Sequence, residues 1–257
     1  MAWLRSVGLT HPGRVRQHNE DAIALGGRLV VASTDEPMRV ECSVLPRVLC
    51  LVADGMGGHA AGEIASRLAA ESLVQQARAM TSEVEIAKAV KSANAAVHGS
   101  MMQDPALIGM GTTIAGILVS EDAIFAFNVG DSRAYRVVGR HLHLLTLDDT
   151  PSFAVDGPEA RTGQSSHALT QCLGGMPDPV PIAPHIHRLE PIGRQRFLLC
   201  SDGLTDMLDQ HAIEACVQDD AELAVTQMFA AAMDAGGTDN ISVIFIDYLP
   251  NGPLFDD

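Results

Sequence analysis

The sequence predicts a mixed α+β fold built on antiparallel sheets. Short runs rich in Val, Ile and Phe and bounded by Gly, Asp or Asn are typical of strands. Six such runs stand out: Ala22–Leu25, Val48–Ala53, Ile114–Val119, Ala123–Val129, Phe197–Cys200 and Ile241–Tyr248. Three other segments, within 64–80, 86–101 and 224–235, have apolar residues at helical spacing. The first two follow one another without an intervening strand, which argues against a doubly wound parallel sheet.

The last helical segment also carries start and stop signals. Asp219-Asp220 can cap its N-terminus, and Gly236-Gly237 can end it in the left-handed conformation. We therefore expect a well-bounded helix before the final strand.

Composition limits the classes of function. A chain of 257 residues with 47% hydrophobic content can bury one core, which predicts one domain over 1–257. Seventeen basic residues against 32 acidic ones, a net charge of −15, argue against a nucleic-acid partner. Five cysteines without CxxC spacing predict reduced thiols and a cytoplasmic protein. No apolar run is long enough for a membrane span, so we expect no membrane partner.

Five aspartates lie at the ends of the apolar runs, and this is the strongest functional signal in the chain. Asp54, Asp131 and Asp202 follow predicted strands, whereas Asp21 and Asp239 precede them. In antiparallel neighbours the end of one strand lies beside the start of the next, so all five can meet at one rim. Such a cluster of carboxylates usually holds metal ions or protons, because the charges otherwise repel one another.

The clearest copy of the pattern runs from Leu49 to His59, where a strand delivers Asp54 into a glycine-rich turn and the Gly55 carbonyl becomes approachable. One Asp-Gly pair is most often only a turn, but the accumulation of such pairs favours a site for hard divalent cations. Two cations about 3.5–4 Å apart would polarise a phosphoryl group and activate water. Arg16, five residues before Asp21, is a candidate phosphate ligand.

Seven motifs in order resemble those of bacterial metal-dependent protein phosphatases, the PPM or type 2C Ser/Thr phosphatases. The opening residues of the seven motifs are, in chain order, Arg16-x-x-Asn19-Glu20-Asp21, Asp54-Gly-Met-Gly-Gly-His59, Gly111-Thr112-Thr113, Gly130-Asp131-Ser132-Arg133, Leu169-Thr170, Cys200-Ser201-Asp202-Gly203 and Gly237-x-Asp239-Asn240. The match covers about residues 8–247, which we take as the core of the domain.

The resemblance implies two antiparallel sheets in a central sandwich with α-helices on both faces. It also implies two, and in bacterial members three, Mn²⁺ or Mg²⁺ ions. Carried over by position, the metal residues are Asp54 as the bridging ligand, Gly55 through its carbonyl, Asp202 and Asp239 on the second metal, Asp21 and Glu20 directly or through water, and Asp131 with Asp202 on a third metal.

The implied activity is hydrolysis of phosphoserine and phosphothreonine in proteins by a hydroxide that bridges the metals. Arg16 would hold the phosphate, and His59 is the candidate general acid because its ordinary pKa suits proton transfer. Met56 stands where eukaryotic relatives have the acid histidine. Expected partners are phosphorylated proteins, including a Ser/Thr kinase that the phosphatase opposes, and we expect a monomer.

Two alternatives compete with this function. A catalytically weak pseudophosphatase that binds phosphoproteins should lack an acid or the arginine, yet all are present. A calcium-binding structural domain should contain DxDxDG loops, and none occurs. The chain departs from the family after Asp148, where Asp149-Thr150-Pro151 replaces His and then Ser or Lys. We expect the flap at about 149–168 to be mobile and without the family's helix.

Overall fold

The computed structural model describes residues 1–57, 61–151 and 168–252. The strands in these ranges are β1 (Trp3–His11), β2 (Ala22–Leu25), β3 (Arg28–Val30), β4 (Met38–Ser43), β5 (Arg47–Ala53), β6 (Gly55–Met56), β7 (Gly111–Thr112), β8 (Ile114–Ser120), β9 (Ile124–Val129), β10 (Arg133–Val138), β11 (His141–Leu144), β12 (Leu173–Gly174), β13 (His185–Leu189), β14 (Gln195–Cys200) and β15 (Ile241–Leu249). The α-helices are α1 (Ala61–Gln76), α2 (Glu83–Gln103), α3 (Asp202–Thr205), α4 (Gln210–Ala215) and α5 (Ala221–Asp234). Short 3₁₀ turns cover Ala77–Ala79 and Pro105–Leu107.

The strands form two six-stranded sheets and one small ribbon, all with antiparallel pairing. One large sheet has the order β11-β10-β14-β15-β1-β4 and the other β13-β9-β8-β5-β2-β3. The ribbon, of order β12-β7-β6, extends from the end of β5. The predicted strands agree with β2, β5, β8, β9, β14 and β15 to within two residues at each end.

Three apolar layers hold the sheets and helices together. The layer between the two large sheets includes Val52 and Ile246. A second layer packs α1 and α2 on the β5 side, with Leu51 and Leu73 fully buried. A third packs α5 against β15, with Phe245 at its centre. The layers therefore run helix, sheet, sheet, helix, which confirms the predicted α+β sandwich with helices on both faces.

Helix α5 begins and ends as the sequence predicts. The side chain of Asp220 accepts a hydrogen bond from the Leu223 N–H at 2.8 Å. At the other end Gly237 has φ +54° and donates its N–H to the Ala232 carbonyl at 3.0 Å. This is the left-handed helix end that glycine favours, and it sets the start of the loop leading to Asp239.

Antiparallel register brings the ends of the predicted strands to one rim. Ala22 pairs with Ala53, so the start of β2 lies beside the end of β5. In the other large sheet Cys200 pairs with Val243, close to the start of β15. The acids that flank these strands consequently face each other across the end of the sandwich. Among the helices in the described ranges, none is both long and apolar enough to span a bilayer.

Candidate metal centre

A cavity of about 360 Å³ opens at the rim where the strand ends meet. Its lining includes most of the residues that the sequence predicts for the site: Arg16, Glu20, Asp54, Gly55, Asp131, Asp202 and Asp239. Asp21 is absent from this lining and is fully buried. His59 and residues 152–167 of the flap lie outside the described residues, so the predictions on them stay predictions.

Asp54 is positioned by the strand that precedes it and by two threonines. The Thr113 N–H and the Thr112 hydroxyl both donate to the Asp54 carbonyl, at 2.9 and 2.8 Å. The Thr113 hydroxyl lies 2.7 Å from the Ser132 hydroxyl, next to Asp131. These bonds fix the backbone at Asp54 and link it to the loop that carries Asp131.

Asp21 is held by hydroxyl groups from the opposite sheet. Its Oδ2 accepts hydrogen bonds from Ser201 at 2.9 Å and from Ser242 at 2.6 Å. Its Oδ1 is buried and accepts no hydrogen bond from an N–H or hydroxyl group of the described residues. A buried carboxylate oxygen without a partner costs free energy, which makes Oδ1 a natural ligand for a cation or for its bound water.

Burial and mutual repulsion raise the pKa of the acids in the cluster. Desolvation raises the pKa of Asp21 to about 6 and that of Asp202 to about 7. The pKa of Asp54 rises well above its ordinary value through desolvation and through the charges of Asp21 and Asp202. Desolvation also raises the pKa of Asp131. Positive charge in the cavity would reverse these shifts, because it favours the ionised form of each acid.

Arg16 reaches the cavity but binds a predicted metal ligand there. Its Nη2 lies 2.7 Å from Asp239 Oδ2. The side chain of Arg16 is 57% exposed, so the pair forms at the mouth of the cavity. The pair uses one guanidinium nitrogen of Arg16 and one carboxylate oxygen of Asp239.

Glu20 is placed by close backbone packing. The Ser66 hydroxyl donates to the Glu20 carbonyl at 2.6 Å, and the Glu20 N–H donates to Asn240 Oδ1 at 2.8 Å. A Cβ atom at Gly62 would lie 2.8 Å from Glu20 Cδ, so a glycine is needed for the carboxylate to sit there. Gly55 packs against Gly62 and Glu20 in the same way.

The donors fit hard divalent cations, although the side chains must move to bind them. All the predicted ligands are oxygen atoms, the type that Mn²⁺ and Mg²⁺ prefer. Across residues 1–57, 61–151 and 168–252, no three His, Cys, Asp or Glu side chains are arranged to hold an ion as they stand. Arg16 Nη2 lies 2.7 Å from Asp239 Oδ2, and desolvation raises the pKa of both Asp54 and Asp202, so a cation in the cavity would compete with a guanidinium and with protons.

Asp149, at the departure from the family pattern, is the centre of a buried hydrogen-bond network. Its Oδ2 accepts from the Gly130 N–H at 2.9 Å, and its Oδ1 accepts from Gln171 Nε2 at 2.9 Å and lies 2.9 Å from His185 Nε2. Its carbonyl accepts from the Thr170 N–H at 2.7 Å. Asp149 thus joins the loop before Asp131 to the segment that contains Thr170 and Gln171.

Several residues that support the predicted acids carry no recognisable functional pattern in the sequence. They are Ser201 and Ser242 on Asp21, Asn240 on Glu20, and Asp149. Ser201 directly precedes Asp202 and Asn240 directly follows Asp239, so proximity to a predicted acid was a usable signal for both. Asp149 has no such neighbour in its own sequence motif.

Comparison with known proteins identifies the family. A family model described as "Protein phosphatase 2C" matches residues 41–242. The chain belongs to this family. It is 30% identical over 254 residues to the serine/threonine protein phosphatase PstP of Mycobacterium tuberculosis, covering 95% of this chain and 45% of PstP. It is 27% identical to the serine/threonine phosphatase stp of Listeria monocytogenes, covering 93% of each.

The solved structures agree with the family assignment and with the fold. The crystal structure of the catalytic domain of PstP in complex with two manganese ions superposes with a TM-score of 0.78 at 28% identity, covering 97% of this chain and all of that one. The resemblance predicted from the seven motifs is confirmed, and so, at the level of the family, is the class of metal-dependent Ser/Thr phosphatase. The chain spans about half the length of PstP, so its own activity, substrates and partners are treated below as proposals.

Proposed function

We propose that this chain is a metal-dependent protein phosphatase that hydrolyses phosphoserine and phosphothreonine. The observation that carries the proposal is the convergence of five carboxylates and one guanidinium on a single cavity. Mn²⁺ or Mg²⁺ would be held by Asp54, the Gly55 carbonyl, Asp202 and Asp239. Glu20 and Asp21 would act directly or through water, and Asp131 with Asp202 would hold a third ion.

The cations, when bound, supply Lewis-acid neutralisation of the phosphoryl oxygens and acidify a water molecule. The chain itself supplies the geometry. Arg16, at the mouth of the cavity, exchanges Asp239 for the substrate phosphate, to which guanidinium can bind in a bidentate manner. Hydroxyl donors keep Asp21 oriented from behind. His59 remains the proposed general acid, since Met56 on the cavity wall has no proton to transfer.

The proposed substrates are phosphorylated proteins, among them a Ser/Thr kinase that this phosphatase opposes. A cytoplasmic location is proposed from the five free thiols. A monomer and a single phosphatase domain, with its core at about 8–247, complete the proposal. No feature of the described residues favours the pseudophosphatase alternative, because each predicted acid and Arg16 is present in or beside the cavity.

The decisive experiment is phosphate release from a phosphothreonine peptide with Mn²⁺, comparing wild type with Asp54→Asn and Asp239→Asn and using EDTA as a control. Turnover that requires Mn²⁺ and is lost in both variants is the expected result. Two measured metal ions per chain without turnover would instead favour a phosphoprotein-binding protein.

Arg16 has a matched control two residues away. Arg14 also forms an exposed ion pair, with Asp234 at 3.1 Å, but does not line the cavity. We expect Arg16→Lys to lower kcat/KM by about 10- to 100-fold, because lysine is a point charge without the planar pair of donors. Arg14→Lys should leave kcat/KM near the wild-type value. Equal effects of the two substitutions would remove Arg16 from the proposed phosphate site.

A further inference from the structure

An apolar groove of about 470 Å³ lies directly beside the acidic cavity. Met56, Gly57 and Leu169 line both. The rest of its apolar wall comes from Cys172, Met176, Val180 and Ile182. No charged side chain lines the groove within the part of the chain that the structure describes, whereas carboxylates line the adjacent acidic cavity.

The floor of the groove is rigidly attached to the catalytic rim. Gly55, whose carbonyl is a proposed metal ligand, lies in β6, which pairs with β7. Strand β7 pairs in turn with β12, where Gly174 donates its N–H to the buried Asn94 side chain of α2 at 2.8 Å. A Cβ at Gly111, in the central strand, would lie 2.9 Å from the Gly175 nitrogen. The ribbon therefore sets a fixed spacing between the metal centre and the groove.

The groove is also open to solvent. Met176 is 56% exposed and Val180 is 51% exposed, so two large apolar side chains stand at its edge. Exposed apolar surface beside a polar site is typical of binding surfaces. A peptide whose phosphorylated residue lies in the acidic cavity must run past its walls, and Met56 and Leu169 form the wall shared with the groove.

We propose that this groove binds an apolar side chain of the substrate, a few residues from the phosphorylated Ser or Thr. The inference rests on the proposed phosphatase function and specifies its substrate class: phosphopeptides with a Leu, Ile, Met or Val on one side of the phosphorylated residue. Burial of that side chain against Met176 and Val180 supplies binding energy. Because the contact is remote from the reacting atoms and the same before and during reaction, it acts on KM rather than on kcat.

The test is a positional scan of phosphothreonine peptides in which a single Leu replaces Ser at each position on either side. We expect Leu at one or two adjacent positions to raise kcat/KM by about 5- to 30-fold, the range for a few methylenes in a partly open apolar site. The double substitution Met176→Ser with Val180→Ser should reduce that preference to below about twofold. Ile192→Ser, at an exposed apolar residue outside the groove, should leave it unchanged.

Hydrolysis of p-nitrophenyl phosphate separates this inference from the function on which it rests. This small substrate does not reach the groove, so all three enzymes should hydrolyse it equally with Mn²⁺. Equal hydrolysis together with a flat peptide scan overturns the groove proposal alone. Absence of Mn²⁺-dependent hydrolysis in the wild type overturns the phosphatase proposal itself. A wild-type dimer that the double substitution converts to a monomer, measured by light scattering, would assign the groove to a second copy and also overturn the inference.

Discussion

Replacement of Asp149 by Asn tests whether the hydrogen-bond network around this residue needs a carboxylate. Asp149 is the position at which the chain departs from the family pattern. Asn has nearly the same shape, so the change alters hydrogen-bond chemistry and little else. Around Asp149, Gly130 and Gln171 both present N–H donors at 2.9 Å. A 180° rotation of the Gln171 amide would break a hydrogen bond, because its Oε1 accepts from the Ala183 N–H at 2.7 Å.

The expected loss in the free energy of unfolding follows from counting these N–H donors. If the Asn oxygen faces Gly130, its NH₂ faces the Gln171 NH₂; if it faces Gln171, the buried Gly130 N–H loses its acceptor. Either arrangement leaves one donor without a partner and removes a charge-assisted bond, which together cost about 2–4 kcal/mol. For a chain of this size that corresponds to a Tm lower by about 4–16 °C. His185 can adapt by exchanging its ring proton between nitrogens.

The assay is urea unfolding in EDTA, followed by circular dichroism, with Asp35→Asn as an exposed control expected within about 0.5 kcal/mol of wild type. The double variant Asp149→Asn with Gln171→Glu restores one acceptor opposite the new NH₂ group, so it should regain part of the lost stability. The reasoning is refuted if Asp149→Asn is as stable as Asp35→Asn, or if adding Gln171→Glu lowers the stability further.

Two further predictions concern the acidic cavity. Gly62→Ala should weaken Mn²⁺ binding by about tenfold or more, measured by calorimetry, because the new methyl group would meet Glu20 Cδ at 2.8 Å and displace that carboxylate. Gly99→Ala in α2, with nothing within 4 Å, should leave Mn²⁺ binding unchanged and stabilise the helix by about 0.5–1 kcal/mol; equal Mn²⁺ affinities in both variants would contradict the packing argument. In EDTA the free energy of unfolding should fall as pH rises from 5 to 8. The raised pKa values of Asp21, about 6, and Asp202, about 7, mean that the folded state keeps protons which the unfolded state releases above pH about 4. Mn²⁺ should therefore raise Tm more at pH 8 than at pH 5, and a Tm in EDTA that rises over this range would exclude the proposed protonation.

The parts of the fold that the sequence predicts are those where burial produces a periodic apolar pattern. Helix α5 and strand β15 are recognisable for this reason. Strand β1 is not, although it is paired on both sides, because its buried positions include Ser6, Gly8 and Thr10. Gly8 is required by packing between the sheets, since a Cβ there would lie 2.7 Å from Leu25 Cδ2. Such a requirement arises from the partner strand and leaves no local signature.

The residues of the candidate site likewise include some that the sequence predicts and some that it does not. The acids were predictable because each ends or begins a recognisable strand, and antiparallel pairing brings such positions together. Their supports were not, because Ser201 and Ser242 meet Asp21 across 180 and 221 residues of sequence. Asp149 could be recognised as a departure from the family, but its role depends on Gln171 and His185, which only the fold brings to it.

The hydrogen bonds behind Asp21 explain why this cavity suits a cation. The amide nitrogen of Asn19 donates to Thr10 Oγ1 at 2.8 Å. Ser242 Oγ lies 2.8 Å from the same Thr10 oxygen, and because the single Ser242 proton faces the Asp21 carboxylate, Thr10 supplies the proton of this bond. The Ser242 proton is then directed at Asp21 Oδ2, as is that of Ser201. Such a one-way chain of donors strengthens cooperatively and stabilises an ionised carboxylate. Burial nevertheless dominates and raises the pKa of Asp21 to about 6. A positive charge in the cavity beside Oδ1 would lower this pKa again and so favour the ionised carboxylate.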